Sequence, residues 1–278
     1  MNTSLPPDFW GRIVYILQNY SQSFLRGVGV TMAIAVVSTA VGCLIGFFIG
    51  IILTIPEDNK KKFSFKNILL KTIKFILNAY VEIFRGTPMM VQAMFIYYGL
   101  ALLFDIHMGM WDAAFLIVSI NTGAYMAETF RGGIISVDSG QTEGAKVIGM
   151  NHFQTMFYVI MPQALRNIMP QIGNNLIINI KDSCVLSVIG TIELFYVTKG
   201  VAGAYYTYFE AFTITMVIYF VLTFICSKIL RYIENKMDGD GSYELVNKDH
   251  LVLTSGTFKY KNNKALSANR NNDTRGGF

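Results

Sequence analysis

Three ionisable side chains sit in apolar surroundings and have the most scope for chemistry. Glu128 follows the charge-free run Ala113–Ala127, and Lys181 and Asp182 interrupt an apolar stretch from about Gln171 to Ile192. A charge placed inside a bilayer costs about 2.5–3.5 kcal/mol, so it marks either a binding function or an internal pair. Adjacent helix positions diverge by about 100°, so Lys181 and Asp182 are not obliged to pair with each other. Separated charges of both signs suit the holding of a charged solute. The competing reading is that Glu128 neutralises Lys181 or Arg131 between packed helices. Bond-breaking chemistry has less support, because the chain lacks a paired nucleophile and base or a His-rich cluster. His107, His152 and His250 are isolated from one another and have no second ligand at metal spacing. Cys43, Cys184 and Cys226 all lie in apolar runs and read as small buried hydrophobes. No G-x-x-x-x-G-K-[ST] loop is present, so the chain has no phosphate-cradling motif of that kind.

Composition says what must position these residues. Of 278 residues, 53% are hydrophobic and only 15% charged, and mean hydropathy is +0.42. A soluble domain carries about 25% charged residues, so this chain cannot cover a water-facing globule of its size. A soluble enzyme, a disordered hub and a disulfide scaffold are disfavoured together. The net charge of +5 is mild and does not suggest a nucleic-acid-binding face. Charge-free runs define five helical spans, taken as about 24–55, 77–105, 112–133, 170–192 and 208–231. An all-α membrane protein is therefore expected, with no period-two alternation suggesting a barrel.

Lys60, Lys61, Lys62, Lys66, Lys71 and Lys74 crowd the first connection, Arg131, Lys146 and Arg166 the third, and Lys228, Arg231 and Lys236 follow the last span. The other side has Arg12, Arg26 and Lys199. With the richer side in the cytoplasm, the N-terminus lies outside and the C-terminus inside, as five spans require. The segment up to Ser23 has no signal-peptide cleavage pattern, so the first span is expected to stay in the mature protein. Between Ile68 and Phe84, Lys71, Lys74, Asn78 and Glu82 oppose Leu70, Ile73, Leu77 and Val81, which predicts an amphipathic helix before a bend at Gly86 and Pro88. Residues 238–278 are rich in Asn, Lys, Gly and Ser and are expected to form a disordered cytoplasmic tail after a 1–237 membrane domain.

The connection 136–170 is too long for a simple turn. Glu143, Ala145, Lys146 and Val147 suit a short helix that Gly149 ends in the left-handed conformation. Asn151 is an N-cap with Gln154 placed for a capping box. Phe153, Met156, Phe157 and Ile160 then form one apolar face, with Pro162 and Pro170 as punctuation. An amphipathic helix-turn-helix of this kind suits docking into a partner's groove.

Here the chain resembles a known family. Glu143-Gly144-Ala145, three residues, Gly149, nine residues, and Val159-Ile160-Met161-Pro162 resembles the EAA loop of permease subunits of ATP-binding-cassette importers. Alanine is usual at Gly144, isoleucine at Val159 and leucine at Met161. Phe84-Arg85-Gly86-Thr87-Pro88, Ala124-Tyr125-Met126-Ala127-Glu128 with Arg131-Gly132-Gly133, and Pro162-Gln163-Ala164-Leu165-Arg166 resemble the polar amino-acid branch. The likeness covers roughly Phe24 to Lys236 and implies a type I importer permease fold in the bacterial cytoplasmic membrane.

It further implies two permease subunits, identical or paralogous, an ATPase dimer that carries the ATP, and an extracytoplasmic solute-binding protein. The chain itself would be no enzyme and hold no cofactor. ATP-driven closure of the ATPases would draw the coupling helices together and turn the pore outward. Glu143, Gly144, Ala145, Gly149 and Pro162 would build the coupling turn. For a zwitterionic amino acid, Glu128 would hold the ammonium, and Lys181, Asn175 or Thr87 the carboxylate, with Asp182 nearby. Arg85 is either a headgroup anchor or a carboxylate contact. An ion-coupled carrier is the alternative, which accounts for the buried charges but not for the coupling loop.

Overall fold

The computed structural model describes residues 5–56 and 65–238. The Lys60–Lys62 cluster and the tail after Asp238 lie outside the described residues. Contacts divide the chain after Glu234, and the residues before that point form one helical body.

The elements are α1 (Phe9–Thr54), α2 (Phe65–Gly86), α3 (Met89–Phe104), α4 (Met110–Ile135), α5 (Ser139–Val147), the single turn α6 (His152–Gln154), a π-helical stretch Thr155–Ile160, α7 (Met161–Asp182), a 3₁₀ stretch Ser183–Ile189, α8 (Leu194–Tyr205) and α9 (Tyr208–Asp238). No strand occurs among the described residues. α1 and α9 are each long and apolar enough to cross a bilayer. α2 with α3, and the run His152–Ile189 with α8, satisfy the same test as pairs bent by 114° and 55°.

Small residues bring α1 and α4 into direct backbone contact. Gly42, Gly46 and Gly50 recur every fourth residue, so they share one face of α1. A Cβ at Gly46 would lie 2.4 Å from the Met126 Cβ, and one at Gly50 would lie 2.6 Å from the Phe130 Cβ. That close approach is how membrane helices gain packing energy where lipid offers no hydrophobic drive. One core cluster unites Ile34, Ala93, Ile117, Val118, Leu186 and Ile189. A second unites Met126, Phe130, Ile134, Met156, Ile160 and Ile168.

Two features depart from the sequence expectation. Pro170 does not punctuate the chain but lies inside α7, which runs on to Asp182. Its missing N–H removes one helical bond without stopping a helix that α1 and α4 clamp on one side. The expected fourth span of 170–192 is likewise not one α-helix, because Ser183–Ile189 tightens to 3₁₀ geometry before Gly190 turns the chain at φ +84°.

The bend expected at Gly86 and Pro88 is present and sharp. Gln92 Nε2 donates to the Phe84 carbonyl (2.9 Å), the Thr87 carbonyl (2.9 Å) and Thr87 Oγ1 (2.8 Å). Asn121 Nδ2 reaches across from α4 to the Phe84 carbonyl (3.2 Å) and Gln92 Oε1 (2.9 Å). Side-chain amides thus satisfy carbonyls that the broken helix leaves without partners.

Candidate functional site

The hairpin between α4 and α7 follows from local turn chemistry. Asp138 caps α5 by accepting from the Gly140 N–H (2.7 Å). At its other end the Gly149 N–H donates to the Lys146 carbonyl (3.0 Å) and the Met150 N–H to the Ala145 carbonyl (3.0 Å). These two bonds close a Schellman turn, and Gly149 adopts φ +83° to allow them. A Cβ at Gly149 would meet nothing within 4 Å, so the requirement is purely one of backbone conformation. Asn151 and Gln154 form the expected capping box, each bond 2.9 Å. Pro162 falls in the first turn of α7, where a missing N–H costs little.

The expected apolar face of the second helix splits in two. Met156 and Ile160 pack into the core with Met161 and Ala164. Phe153 and Phe157 point outward instead and join Val147, Ile148 and Tyr158 as exposed apolar side chains. The wider π turn at Thr155–Ile160 shifts the helical phase and produces this split. Ala145 is buried, whereas Glu143 and Gly144 are exposed beside the outward group.

Along α4, Arg131 grips Glu128 with two bonds, Nε to Oε2 at 3.0 Å and Nη2 to Oε1. Glu128 is therefore paired within its own helix and not with Lys181. The Arg85 guanidinium lies over the Tyr125 ring at 5.6 Å, one turn of α4 away from Glu128. Thr87 is engaged in the bend, donating to the Ile83 carbonyl (2.8 Å) while accepting from Gln92. Asn175 is buried on the packed side of α7. Lys181 and Asp182 are exposed at the far end of the same helix, and neither forms an ion pair among the described residues. Lys181 lines an open groove of about 300 Å³ between α7 and α9, together with Ile177, Lys228 and Arg231.

Two buried polar groups escaped the sequence reading. Asn179 donates to Thr39 Oγ1 (2.8 Å) and Thr122 Oγ1 (2.9 Å), tying α7 to α1 and α4. Glu193, fully buried, accepts from the Phe195 N–H (2.8 Å), the Tyr196 N–H (2.6 Å) and the Tyr219 hydroxyl (3.2 Å). An acidic side chain just before a helix is favoured by the partial positive charge of the helix N-terminus, and that signal was present in the sequence at Glu193.

A bent, glycine-packed helical body with a projecting hairpin is the architecture of an ABC-importer permease of the type I fold. Residues 63–239 match the family described as binding-protein-dependent transport system inner membrane component, and the chain belongs to it. The Escherichia coli (strain K12) glutamine transport system permease protein GlnP is 33% identical over 214 residues, covering 77% of this chain and 92% of that one. The Bacillus subtilis (strain 168) arginine transport system permease protein ArtQ is 34% identical, covering 77% and 91%. A crystal structure of an amino acid ABC transporter with histidines superposes with a TM-score of 0.70 at 35% identity, covering 82% of this chain and 98% of that one. The MetNI methionine ABC transporter in an inward-facing conformation shares the fold, with a TM-score of 0.59 at 18% identity.

Proposed function

We propose that the chain is the membrane-spanning subunit of an ATP-driven, binding-protein-dependent importer for a polar amino acid. The observation that carries this is the hairpin, whose Val147, Ile148, Phe153 and Tyr158 are exposed on a turn built for rigidity and joined directly to α7. Exposed apolar side chains on a fixed scaffold suit insertion into a cleft on an ATPase. Glu143, Gly144, Ala145, Gly149 and Pro162 form the coupling turn, and the hairpin end faces the cytoplasm with the N-terminus outside. ATP binds and is hydrolysed on the partner ATPase dimer. A solute-binding protein delivers substrate from the other side, and a second permease subunit completes the pore. Lys181 and Asp182 contribute to the substrate pathway through their exposed positions on α7. Glu128, half-buried on α4, and Arg85, exposed in the last turn of α2, contribute as charges, with Thr87 at the bend and Asn175 on α7 as further polar contributors. Glutamine and arginine are named for relatives, so the common chemistry is that of an α-amino acid.

The test is purification of the tagged chain from its own membranes in mild detergent, with mass spectrometry of what accompanies it. An ABC ATPase should co-purify with the wild type and be recovered at a much lower level with Gly149→Val. No ATPase in either preparation would contradict the proposal.

A further inference from the structure

The exposed side of α9 changes its chemistry along its length. Phe220 and Phe224 are exposed and stack with ring centres 6.0 Å apart, and Lys228 and Arg231 follow them, also exposed. At about 100° per residue these four lie within an arc of about 80°, so one stripe runs from aromatic to cationic. Lys228 stands about 30 Å along the helix from Tyr208, at about 1.5 Å per residue, which matches the depth of the hydrocarbon layer. Between Tyr208 and Lys228 the only charge is Glu210, which accepts from Arg12 at the opposite end (3.0 Å). The stripe therefore passes from hydrocarbon to headgroup level between Phe224 and Arg231.

At that level α7 and α9 frame the open groove of about 300 Å³, roughly ten times the ~30 Å³ that one water takes in the liquid. Lys228 Nζ lies 5.4 Å from the centre of the Phe224 ring, so the ammonium leans back over the aromatic part of the stripe. Thr223 and Ser227 donate their hydroxyl protons to the Tyr219 and Thr223 carbonyls (2.8 and 2.7 Å). No carboxylate lines the groove, and neither Lys228 nor Arg231 forms an ion pair among the described residues. Glu234, one turn further on, is turned towards α7, where its Oε1 would lie 3.5 Å from a Cβ at Gly173. The free donors of the groove are thus its cations. Lys181 lines it from deeper in the membrane. A Cβ at Gly173 would lie 3.3 Å from Leu230 Cδ1, so Lys181, two turns further along α7, stands about 12 Å nearer the membrane centre and stays with the substrate path proposed above.

Cations at the edge of an apolar surface attract the phosphates of anionic lipids. We propose that this groove holds the headgroup of one anionic phospholipid, with its phosphate between Lys228 and Arg231 and an acyl chain along Phe220 and Phe224. A zwitterionic lipid brings its own cation and gains less from the two side chains. A second copy of the chain is a poorer occupant, because a two-fold contact here would set the same cations against each other. The site belongs to the membrane face of the chain and stands whether or not an ATPase is its partner.

The test is native mass spectrometry of the purified transporter, delipidated in detergent and titrated with dioleoylphosphatidylglycerol or, as the zwitterionic control, dioleoylphosphatidylcholine. One phosphatidylglycerol per permease should bind about tenfold tighter than phosphatidylcholine, or more. Lys228→Gln with Arg231→Gln should abolish that preference. Lys228→Arg keeps the charge and should retain the preference within about twofold, as should Lys66→Gln, which removes an exposed cation on α2. Equal affinity for the two lipids in the wild type would overturn the proposal, as would an undiminished preference in the double variant. Inorganic phosphate at the concentration of the lipid should leave the lipid bound. Displacement by phosphate would mean an anion site with no use for the aromatic stripe, and would also overturn the proposal. A benzophenone side chain at position 224 should cross-link to lipid on illumination; cross-linking to another subunit instead would put protein in the groove and refute the lipid assignment.

Discussion

Gly149 offers the sharpest quantitative test of the proposed coupling turn. Its φ of +83° lies in the left-handed region, and a Cβ there would touch nothing within 4 Å. Replacing it therefore imposes a conformational cost with no clash, about 1–2 kcal/mol for an ordinary L-residue. Asparagine tolerates this region better, and valine tolerates it worst because of its branched Cβ. If the ATPase docks only onto the closed turn, the whole cost appears in binding, as about a 5–30-fold weaker affinity. The assay titrates purified ATPase onto the detergent-solubilised permease for wild type, Gly149→Asn, Gly149→Ala and Gly149→Val. Affinity should fall in that order, with Gly149→Asn within a few-fold of wild type and Gly149→Val at or beyond the 30-fold end. Gly144→Ala is the internal control. Gly144 lies inside α5 with open space around it, so alanine should firm the helix by up to about 1 kcal/mol and leave binding equal or tighter. Unchanged affinity and uptake in Gly149→Val would refute the reasoning.

Other perturbations have distinct readouts. Gly46→Val would force a Cβ into the backbone of Met126, whose carbonyl carbon would lie 2.6 Å away, so the detergent-solubilised protein should melt several degrees lower, with a loss of about 1–3 kcal/mol or more. Asn179→Leu strands the hydroxyls of Thr39 and Thr122 and should cost about 1–2 kcal/mol, measured as a lower thermal midpoint, whereas Asn179→Gln should recover only part of it. Glu128→Gln leaves Arg131 without its carboxylate. If Glu128 belongs to the pathway, the uptake KM should rise, and an unchanged KM and substrate range would restrict it to pairing with Arg131.

The parts legible in the sequence are those fixed by local chemistry. Gly149, Asn151 and Gln154 announce a left-handed cap and a capping box, and both are present because each needs only residues within a few positions. The amphipathic helix before Gly86 and the bend after it follow from local periodicity and Pro88 in the same way. The π turn was not legible, since nothing in Thr155–Ile160 marks an added residue per turn, and it sends Phe153 and Phe157 outward. Pro170 reads as a break from its local cost alone, and only the packing of α7 against α1 and α4 lets the helix run through it. The Asn179 node joins positions 140 and 57 residues apart in the chain, so only the packed helices reveal it. The Glu128–Arg131 pair was one of two readings that the spacing left open, and the rotamers of the folded helix decide which contact forms.

ATP-dependence of uptake addresses the central claim most directly. The co-purified complex is reconstituted into proteoliposomes with the solute-binding protein and radiolabelled amino acid outside. The account predicts accumulation that requires ATP on the hairpin side, persists when ionophores collapse every ion gradient, and falls to background with Gly149→Val. Uptake that continues without ATP and vanishes with the ion gradient would contradict it and point to an ion-coupled carrier.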